Sequence, residues 1–497
     1  MTKRSLLCVF ALIVALALSL RLCGLGEKSY WIDEILTLIN STKPWSQMLV
    51  SLQQTDNNKP PLYYLFMHEW LKAGDSEAWT RLPSAIFGAL TCGFLFLTGY
   101  RLIGAWVGGL AAAFLILTPY HLYYSQESRM YAMFGCEAGA ALLCLILFFQ
   151  EKKIAWLICF GVLSTLINYT FSYGFFFLGL GGLLLLVEWK KLGRGRALGL
   201  LFTLIISFVL FIPWLMRMVH TSNSTEGQFY KGPPWAAILY TFYSLGYGFD
   251  LGPSTNDLQT MEWRYFPAYP FETALTVLGF GVLTAIIVRG LIALRNDRFL
   301  FALTLGGMAI FLVGPAVISL LKPIVTDNPR YAFLAVLPFG LTLAVGLLAL
   351  WKDGRFPRLI VVAYGILLGL SLGNFYFNPW YQREDMRAAS QVVAQLDPQP
   401  AIVIVCAGYL TTVVSYYYHG PATPVGFSSY NQASFDARSL QLSDLLLGIN
   451  KFAVIYARAD HGDAAHQLIP WLKARYHLSE QHEWPGSGVY VFDSAAP

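Results

Sequence analysis

Eleven apolar stretches, each about long enough to cross a bilayer, constrain the fold of this chain more than any other feature. A membrane-spanning helix needs roughly 20 apolar residues. The stretches lie at residues 5–23, 81–101, 104–120, 130–149, 154–170, 171–189, 197–216, 271–292, 299–321, 331–350 and 358–374. Charged residues make up only 13% of the 497-residue chain, about half of their share in soluble domains. The sequence therefore predicts a polytopic α-helical membrane protein.

Short basic segments at alternate connections predict the orientation of the spans. They lie at residues 3–4, 101, 152–153, 190–196, 289–298 and 352–358. The excess of lysine and arginine in cytoplasmic loops predicts a multi-pass protein of the cytoplasmic (inner) membrane with its amino terminus inside. The segments expected on the outer, periplasmic or extracellular, side are residues 24–80, 120–129, 217–270, 322–330 and everything after 375. These basic loops account for the net charge of +5, so no nucleic-acid partner is indicated.

The first outer segment is predicted to contain two helices at the membrane interface. Trp45, Met48 and Leu52 recur with helical spacing after Pro44, and proline suits a helix start. A second helix is predicted over residues 61–72, where aromatic side chains are typical of the bilayer interface. Packing against other spans explains this second helix equally well.

After residue 375 the composition changes to that of a small α/β domain. Helical spacing runs over residues 383–396 and 466–476, and short buried strands are predicted at 401–405, 452–456 and 488–492. We therefore predict a transmembrane catalytic domain, residues 1–375, and an extracytoplasmic α/β domain, residues 376–497. The second domain has no glycine-rich phosphate loop, so we expect it to cap the spans or to bind an acceptor.

Acidic and basic side chains are predicted to meet on the outer side. The candidate site residues are Asp33, Glu34, Lys59, Tyr63, Tyr64, His121, Gln126, Glu127, Arg129, Arg330 and Tyr331. Lysine and arginine bind phosphate oxygens through charge-assisted hydrogen bonds, and a carboxylate can accept the proton of an attacking hydroxyl. The combination favours transfer of a sugar from a polyprenyl phosphate to a hydroxyl.

The charged residues among them also have structural explanations, and Glu127 beside Arg129 suits a surface ion pair. Asp33 and Glu34 suit the start of a surface helix, and Lys59 suits an anchor among lipid headgroups. Arg129 and Arg330 each begin a span, where arginine often reaches toward the interface. The functional prediction therefore depends on their coincidence on one side of the membrane.

Other readings of the whole chain remain open. A transporter or flippase of lipid-linked saccharides is one alternative, although no internal repeat of transporter type is visible, and a membrane-bound assembly scaffold is another. Glu137 inside a span suggests a functional group or a local partner for Arg81 or Arg129. No metal site is expected, because the Asp33-Glu34 pair lacks the Asp-x-Asp spacing of a divalent-ion loop.

Five motifs in the membrane part, residues 1–375, resemble those of a known family. They are Trp31-Ile32-Asp33-Glu34, Lys59-Pro60-Pro61-Leu62-Tyr63-Tyr64, Arg81-Leu82-Pro83-Ser84, the run from Ser125 to Tyr131, and Arg330-Tyr331. Together they resemble the polyprenyl-phosphate-dependent GT-C glycosyltransferases, specifically the glycosyltransferase family 39 branch with protein O-mannosyltransferases and the bacterial aminoarabinose lipid A transferase.

The resemblance implies a GT-C fold and an inverting transfer that needs neither a metal nor a cofactor. It implies that Asp33 is the general base and that Glu127 is a second acidic group near donor or acceptor. The residues expected to hold the donor phosphate are Lys59, Tyr63, Arg129, Arg330 and Tyr331, with Glu34, Tyr64, Gln126 and His121 in supporting positions. The expected partners are a polyprenyl-phosphate-linked sugar, an unidentified hydroxyl acceptor and the lipid bilayer. The aminoarabinose enzyme has a glutamate before its lysine where this chain has Asn58, so the resemblance does not support a structural metal there.

Overall fold

The computed structural model describes residues 1–55, 59–221, 234–254, 257, 261, 264–321 and 329–494. The chain divides into two compact units. The helical unit comprises residues 1–25, 39–253 and 269–377, and the α/β unit comprises residues 26–38, 254–268 and 378–497. The predicted division between residues 375 and 376 stays a prediction. Asn58 and parts of the outer segments 217–270 and 322–330 lie outside the described residues.

The described helices and strands follow in chain order. The helices are α1 (Lys3–Leu22), α2 (Ile32–Ser41), α3 (Trp45–Thr55), α4 (Leu62–Trp70), α5 (Glu77–Leu102), α6 (Ala105–Leu117), α7 (Pro119–Ser125), α8 (Tyr131–Glu151), α9 (Ile154–Thr170), α10 (Phe175–Leu192), α11 (Arg194–Thr221), α12 (Pro234–Tyr247), α13 (Tyr265–Ala268), α14 (Pro270–Leu294), α15 (Arg298–Phe301), α16 (Gly307–Leu321), α17 (Val336–Lys352), α18 (Arg355–Phe377), α19 (Met386–Gln395), α20 (Thr411–Tyr417), α21 (Gln432–Leu445), α22 (Ala459–Gly462) and α23 (Leu468–Lys473). The strands are β1 (Ile402–Cys406), β2 (Pro424–Phe427), β3 (Lys451–Ala457), β4 (His477–Trp484) and β5 (Ser487–Asp493).

All eleven apolar stretches are helical in the structure. Within the described residues, nine helical segments are long and apolar enough to cross a membrane, and the bent pair α6 and α7 makes a tenth candidate. The bend of 62° falls across Thr118, where Pro119 cannot continue the preceding hydrogen-bond pattern. The remaining stretch is α9, which has only 17 residues. The chain is thus a multi-pass helical membrane protein, with nine or ten spans by this measure where about eleven were predicted.

The first outer segment contains the two predicted helices and one more. α3 begins directly after Pro44, and its Met48 and Leu52 side chains are fully buried. α4 begins after Pro61 and continues into a 3-10 turn that ends at Ala73. Both predictions of helix are confirmed, and α2 is an additional helix, which the sequence suggested only through the alternative role of Asp33 and Glu34 as a helix start.

Two glycines let α14 and α17 pack with their backbones in close contact. A Cβ atom on Gly290 would overlap the carbonyl oxygen of Thr342, and one on Gly346 would overlap the carbonyl oxygen of Ile286. Small residues at such crossings permit the close approach of helices in membranes. α17 follows directly on a 3-10 segment, Pro329–Ala335, so this packing fixes the end of that segment.

The α/β unit is built on a five-stranded sheet of order β2-β1-β3-β5-β4. β2, β1 and β3 are parallel, whereas β5 and β4 are added antiparallel. The predicted strands correspond to β1, β3 and β5, whose apolar residues are buried. β2 and the mostly exposed edge strand β4 were not predicted, and the helix predicted over 466–476 is limited to α23.

Candidate functional site

The turn between α7 and α8 holds two of the predicted charged residues in the interior of the helical unit. Arg129 is fully buried and Glu127 is 3% exposed. The Arg129 backbone N–H donates to the Glu127 carbonyl at 2.8 Å, and the Ser84 hydroxyl donates to the Arg129 carbonyl at 3.4 Å. One hydrogen bond within the turn and one from α5 therefore hold its backbone in place. Burial of both charges distinguishes this turn from a solvated surface ion pair.

The Arg129 guanidinium contacts the predicted tyrosine pair on α4. Its Nη1 atom donates to the Tyr64 hydroxyl at 3.4 Å, and the Tyr64 ring meets that of Tyr63 edge to face at 6.1 Å. Both tyrosines are fully buried. Lys59 lies just before this helix and is partly buried. The structure thus brings Arg129 and Tyr64 together, residues that are far apart in the sequence.

Arg330 and Tyr331 lie on the 3-10 segment that precedes α17. The Arg330 guanidinium carbon is 5.2 Å from the centre of the Tyr331 ring, and its Nη2 atom donates to the Tyr331 hydroxyl at 3.4 Å. The Tyr331 ring is stacked with that of Phe171 at 6.1 Å, and Phe171 meets Tyr131 edge to face at 5.4 Å. Aromatic packing therefore links Arg330 to the start of α8, next to the turn that carries Arg129.

The same segment is tied to the bent pair of helices. The Tyr120 hydroxyl on α7 donates to the Pro329 carbonyl at 2.8 Å, and the Phe333 ring is stacked with that of His121 at 5.7 Å. A Cβ atom on Gly135 of α8 would also meet the Phe333 ring. Contacts from two helices therefore hold the backbone that presents Arg330.

His121 and Gln126 are joined to an arginine that the sequence reasoning did not select. Arg21, at the end of α1, is fully buried and its Nη2 atom lies 2.7 Å from Nδ1 of His121. Its guanidinium also donates to the carbonyls of Ala17 and Leu115, at 2.8 and 3.0 Å. The Gln126 amide donates to the Arg21 carbonyl at 3.0 Å. Both predicted supporting residues thus hold the end of the first span.

The pattern of the sequence gave little reason to select Arg21. A cation at the end of an apolar span is ordinarily a flanking anchor, and only the fold shows that this one points inward. In the structure, Gly88 of α5 leaves room for two side chains: a Cβ atom there would overlap the Ser125 side chain and fall 2.9 Å from the Arg21 Nε atom.

Asp33 and Glu34 belong to the α/β unit, in the first turn of α2. Glu34 is 1% exposed, and its Oε2 atom accepts from the Trp31 backbone N–H at 3.4 Å. This bond is half of a capping box, so Glu34 has the helix-starting role that was weighed against function. Asp33 is partly buried, and its carbonyl accepts from the Thr37 hydroxyl at 3.1 Å. Its role as base stays a prediction.

The remaining candidates have local partners. Glu137 accepts from the Thr170 hydroxyl at 3.1 Å, rather than pairing with an arginine, and Arg81 donates to the Leu25 carbonyl at 3.1 Å. Within the described part of the chain, no group of three or more histidine, cysteine, aspartate or glutamate side chains is arranged to hold a metal ion. The helical unit contains buried guanidinium, phenol and carboxyl groups, and a guanidinium suits recognition of a phosphate.

A match to a known protein family covers part of the helical unit. Residues 58–216 match the family model described as dolichyl-phosphate-mannose-protein mannosyltransferase. That region contains seven of the predicted site residues: Lys59, Tyr63, Tyr64, His121, Gln126, Glu127 and Arg129. The comparison with curated proteins gives no match.

Two solved structures are similar to this chain to different degrees. The oligosaccharyltransferase AglB from Archaeoglobus fulgidus, in complex with an inhibitory peptide and a dolichol-phosphate, superimposes with a TM-score of 0.53 at 11% identity, over 98% of this chain and 74% of that one. ArnT from Cupriavidus metallidurans bound to undecaprenyl phosphate gives a TM-score of 0.45 at 16% identity, over 97% of both chains. The family match over residues 58–216 confirms the resemblance seen in the sequence motifs, and the fold that the chain shares with AglB is of the predicted GT-C type.

Proposed function

We propose that the protein transfers a monosaccharide from a polyprenyl-phosphate donor to a hydroxyl acceptor at the outer face of a cytoplasmic membrane. In this proposal the amino terminus is cytoplasmic, residues 1–375 form the catalytic domain, and the C-terminal domain lies on the periplasmic or extracellular side. The acceptor is a hydroxyl of a lipid, glycan or protein. The family match, the shared fold and the alternation of basic loops support these assignments.

The observation that carries the proposal is the fully buried Arg129 beside Glu127, with its guanidinium on the Tyr64 hydroxyl. Removing a guanidinium from water is costly, and charged groups buried in membrane proteins usually serve a function. The planar fork of arginine matches phosphate oxygens. Lys59, Tyr63, Arg330 and Tyr331 are proposed to complete the grip on the donor phosphate.

The proposed reaction is a single inverting displacement. The acceptor oxygen forms a bond to the anomeric carbon while the bond from that carbon to the phosphate oxygen breaks, and the electron pair leaves with the polyprenyl phosphate. The acceptor proton passes to the Asp33 carboxylate. Proton removal by a positioned base accounts for roughly 10²- to 10⁴-fold of rate, and the pre-placed cations stabilise the charge that grows on the departing phosphate. Glu127 is assigned to the acceptor or donor sugar.

The test uses the purified protein in lipid nanodiscs. Undecaprenyl-phosphate and dolichyl-phosphate donors with radiolabelled mannose or aminoarabinose are supplied together with an extract of bacterial envelope lipids, and transfer of label is followed. Asp33→Asn is expected to lower kcat by about 10²- to 10⁴-fold, whereas Asp33→Glu keeps part of it. Glu69→Gln is the matched control, because Glu69 is an exposed carboxylate of the same outer segment, paired with Lys72 at 2.7 Å.

A separate variant tests the donor grip. Arg330→Ala is expected to raise the donor KM by about tenfold or more, because a charge-assisted hydrogen bond to phosphate is lost. Full transfer by Asp33→Asn would contradict the assignment of the base. Passage of the labelled lipid across a proteoliposome membrane, with no transfer from either donor, would favour the transporter reading instead.

A further inference from the structure

The segment that carries Asp33 is part of the α/β unit. Residues 26–38 group with residues 378–497, whereas the rest of the first outer segment groups with the helices. The contacts between residues 26–38 and the C-terminal strands and helices are therefore internal contacts of one compact unit. These contacts determine how the start of α2 is held in place.

The indole of Trp31 lies beneath two guanidinium groups from the C-terminal part of this unit. The guanidinium carbon of Arg383 is 4.3 Å from the ring centre, and that of Arg458 is 5.9 Å away. A guanidinium over an indole is held by cation–π attraction and by stacking of two planar groups. Among the described residues, the indole N–H has no hydrogen-bond acceptor. The position of the ring therefore depends on these stacks and on packing.

Arg458 is itself firmly held. Its Nε atom donates to Glu384 Oε1 at 2.7 Å, and the Glu384 side chain is only 9% exposed. Burial would raise the pKa of the Glu384 carboxyl, yet the charge and hydrogen bond of Arg458 hold that pKa below its usual range. Arg458 also has a left-handed backbone with φ of +48°, which a non-glycine residue rarely adopts. Such a conformation persists where the surroundings impose it.

The backbone before Trp31 is bonded to the same elements. The Ser29 hydroxyl donates to the Glu384 carbonyl at 3.3 Å and accepts from the Met386 N–H at 3.2 Å. The Tyr30 N–H donates to the Tyr417 hydroxyl at 2.7 Å. Both the ring and the backbone of this segment are thus fixed by the part of the chain after residue 378.

Trp31 in turn fixes the start of α2. Its carbonyl accepts from the backbone N–H groups of Glu34 and Ile35, at 3.0 and 3.1 Å, so Trp31 is the residue from which the helix begins. Asp33 follows within that first turn. We propose that Arg383 and Arg458 are positioning residues for the reaction: by clamping Trp31 they set the direction in which α2 presents Asp33. This inference rests on the proposed role of Asp33 as the base.

The first test replaces Arg383, whose stack on Trp31 can be removed without breaking the Arg458–Glu384 pair. Arg383→Ala in the full-length protein is expected to lower kcat by about tenfold to a hundredfold, the scale of a misplaced catalytic group, with the donor KM unchanged within twofold. Arg383→Lys, which keeps the charge but not the flat guanidinium, is expected to restore part of the rate. Trp31→Ala should reproduce the loss.

The matched control is Arg475→Ala. Arg475 lies over the Trp471 ring with its guanidinium carbon 4.4 Å from the ring centre, so it forms the same kind of stack in the same unit, on a ring other than Trp31. This variant is expected to keep the wild-type kcat. An equal loss in both arginine variants would mean that any weakening of the α/β unit lowers the rate, and it would overturn the specific role of Arg383.

A double-mutant cycle separates positioning from stability. If Arg383 acts through Asp33, Arg383→Ala causes no further loss of kcat in the Asp33→Asn background. Multiplied losses would show that Arg383 acts independently of Asp33 and would overturn the inference. If Arg383→Ala and Trp31→Ala keep the wild-type kcat while Asp33→Asn loses activity, the positioning role is wrong and the proposed base still stands. Full activity of Asp33→Asn would remove the proposed base itself.

Discussion

Arg21 of the helical unit and Arg458 of the α/β unit, whose side chain is 25% exposed, are held by opposite kinds of partner. Arg21 in the helical unit is fully buried, and its partners are the carbonyls of Ala17 and Leu115, the Cys92 sulfur and the His121 ring. None of these partners is an acid. Arg458 in the α/β unit has the buried carboxylate of Glu384 at 2.7 Å.

This difference shows that hydrogen bonding and neutralisation are separate requirements. Carbonyl oxygens satisfy the donors of a guanidinium but leave its positive charge in place, whereas a carboxylate does both. A guanidinium that keeps its net positive charge suits a region that binds an anion. A guanidinium neutralised by a carboxylate suits a region that holds other residues in place. The proposed donor binding by the helical unit and the proposed positioning role of the α/β unit follow this division.

The largest expected effect is that of Arg458→Met. The substitution leaves the Glu384 carboxylate buried without its cation, and breaking a buried pair from one side costs about 3 kcal/mol or more. Thermal and denaturant unfolding of the purified protein measure the loss. The second substitution Glu384→Gln, added to Arg458→Met, is expected to recover most of it. Equal stability of the single and double variants would contradict the view that the pair is neutralised as a unit.

A smaller effect is expected for Arg21→Met. Leu115 lies in the last turn of α6, where backbone carbonyls lack a partner within the helix, so the variant leaves this oxygen and the His121 ring without a donor. Each loss costs about 1 kcal/mol or more, but the variant also removes a buried charge, which offsets part of that. The same unfolding measurements should therefore show less destabilisation than in Arg458→Met. A greater loss of stability in Arg21→Met than in Arg458→Met would contradict the distinction between the two arginines. Arg21→Lys, which keeps the charge, serves as the control.

The smallest effect is a dependence on pH. The pKa of the Glu384 carboxyl is lowered in the folded protein because the Arg458 charge outweighs the effect of burial. A lowered carboxyl pKa contributes stability that is present above pH 4.5, the usual value, and is lost as the pH falls through the folded value. Unfolding midpoints of wild type are expected to fall more steeply below pH 4.5 than those of Glu384→Gln. Parallel pH profiles would contradict the lowered pKa.

The helices were largely predictable because an apolar stretch of about 20 residues has few other folds available. The prediction was less accurate where local chemistry interrupts such a stretch, as at Thr118 and Pro119, where two helices bend. In the α/β unit the buried strands β1, β3 and β5 carry apolar runs. Strand β4 is an exposed edge of mostly polar residues, so the sequence pattern gives it little signal.

The sequence allowed the candidate residues of the site to be selected, but it did not predict which of them are in contact. Arg129 and Tyr64 were both selected, and their contact depends on the packing of α4 against the turn before α8, which no local pattern encodes. Arg21 escaped selection because a cation ending a span has a simpler explanation. The clamp on Trp31 depends on Arg383 and Arg458, which lie in a part of the sequence that gave no sign of a role in catalysis.

The close crossing of α14 and α17 involves the helix that follows Arg330. The carbonyl oxygens of Thr342 and Ile286 fill the space beside Gly290 and Gly346, so the crossing has no room for even one added methyl group and is closely packed. The segment Pro329–Ala335 contains a break in helical geometry at Ala332, with φ of −100° and ψ of 18°. This break lies two residues after Arg330, so the helical geometry of α17 does not extend to the residue that we propose to bind the donor phosphate.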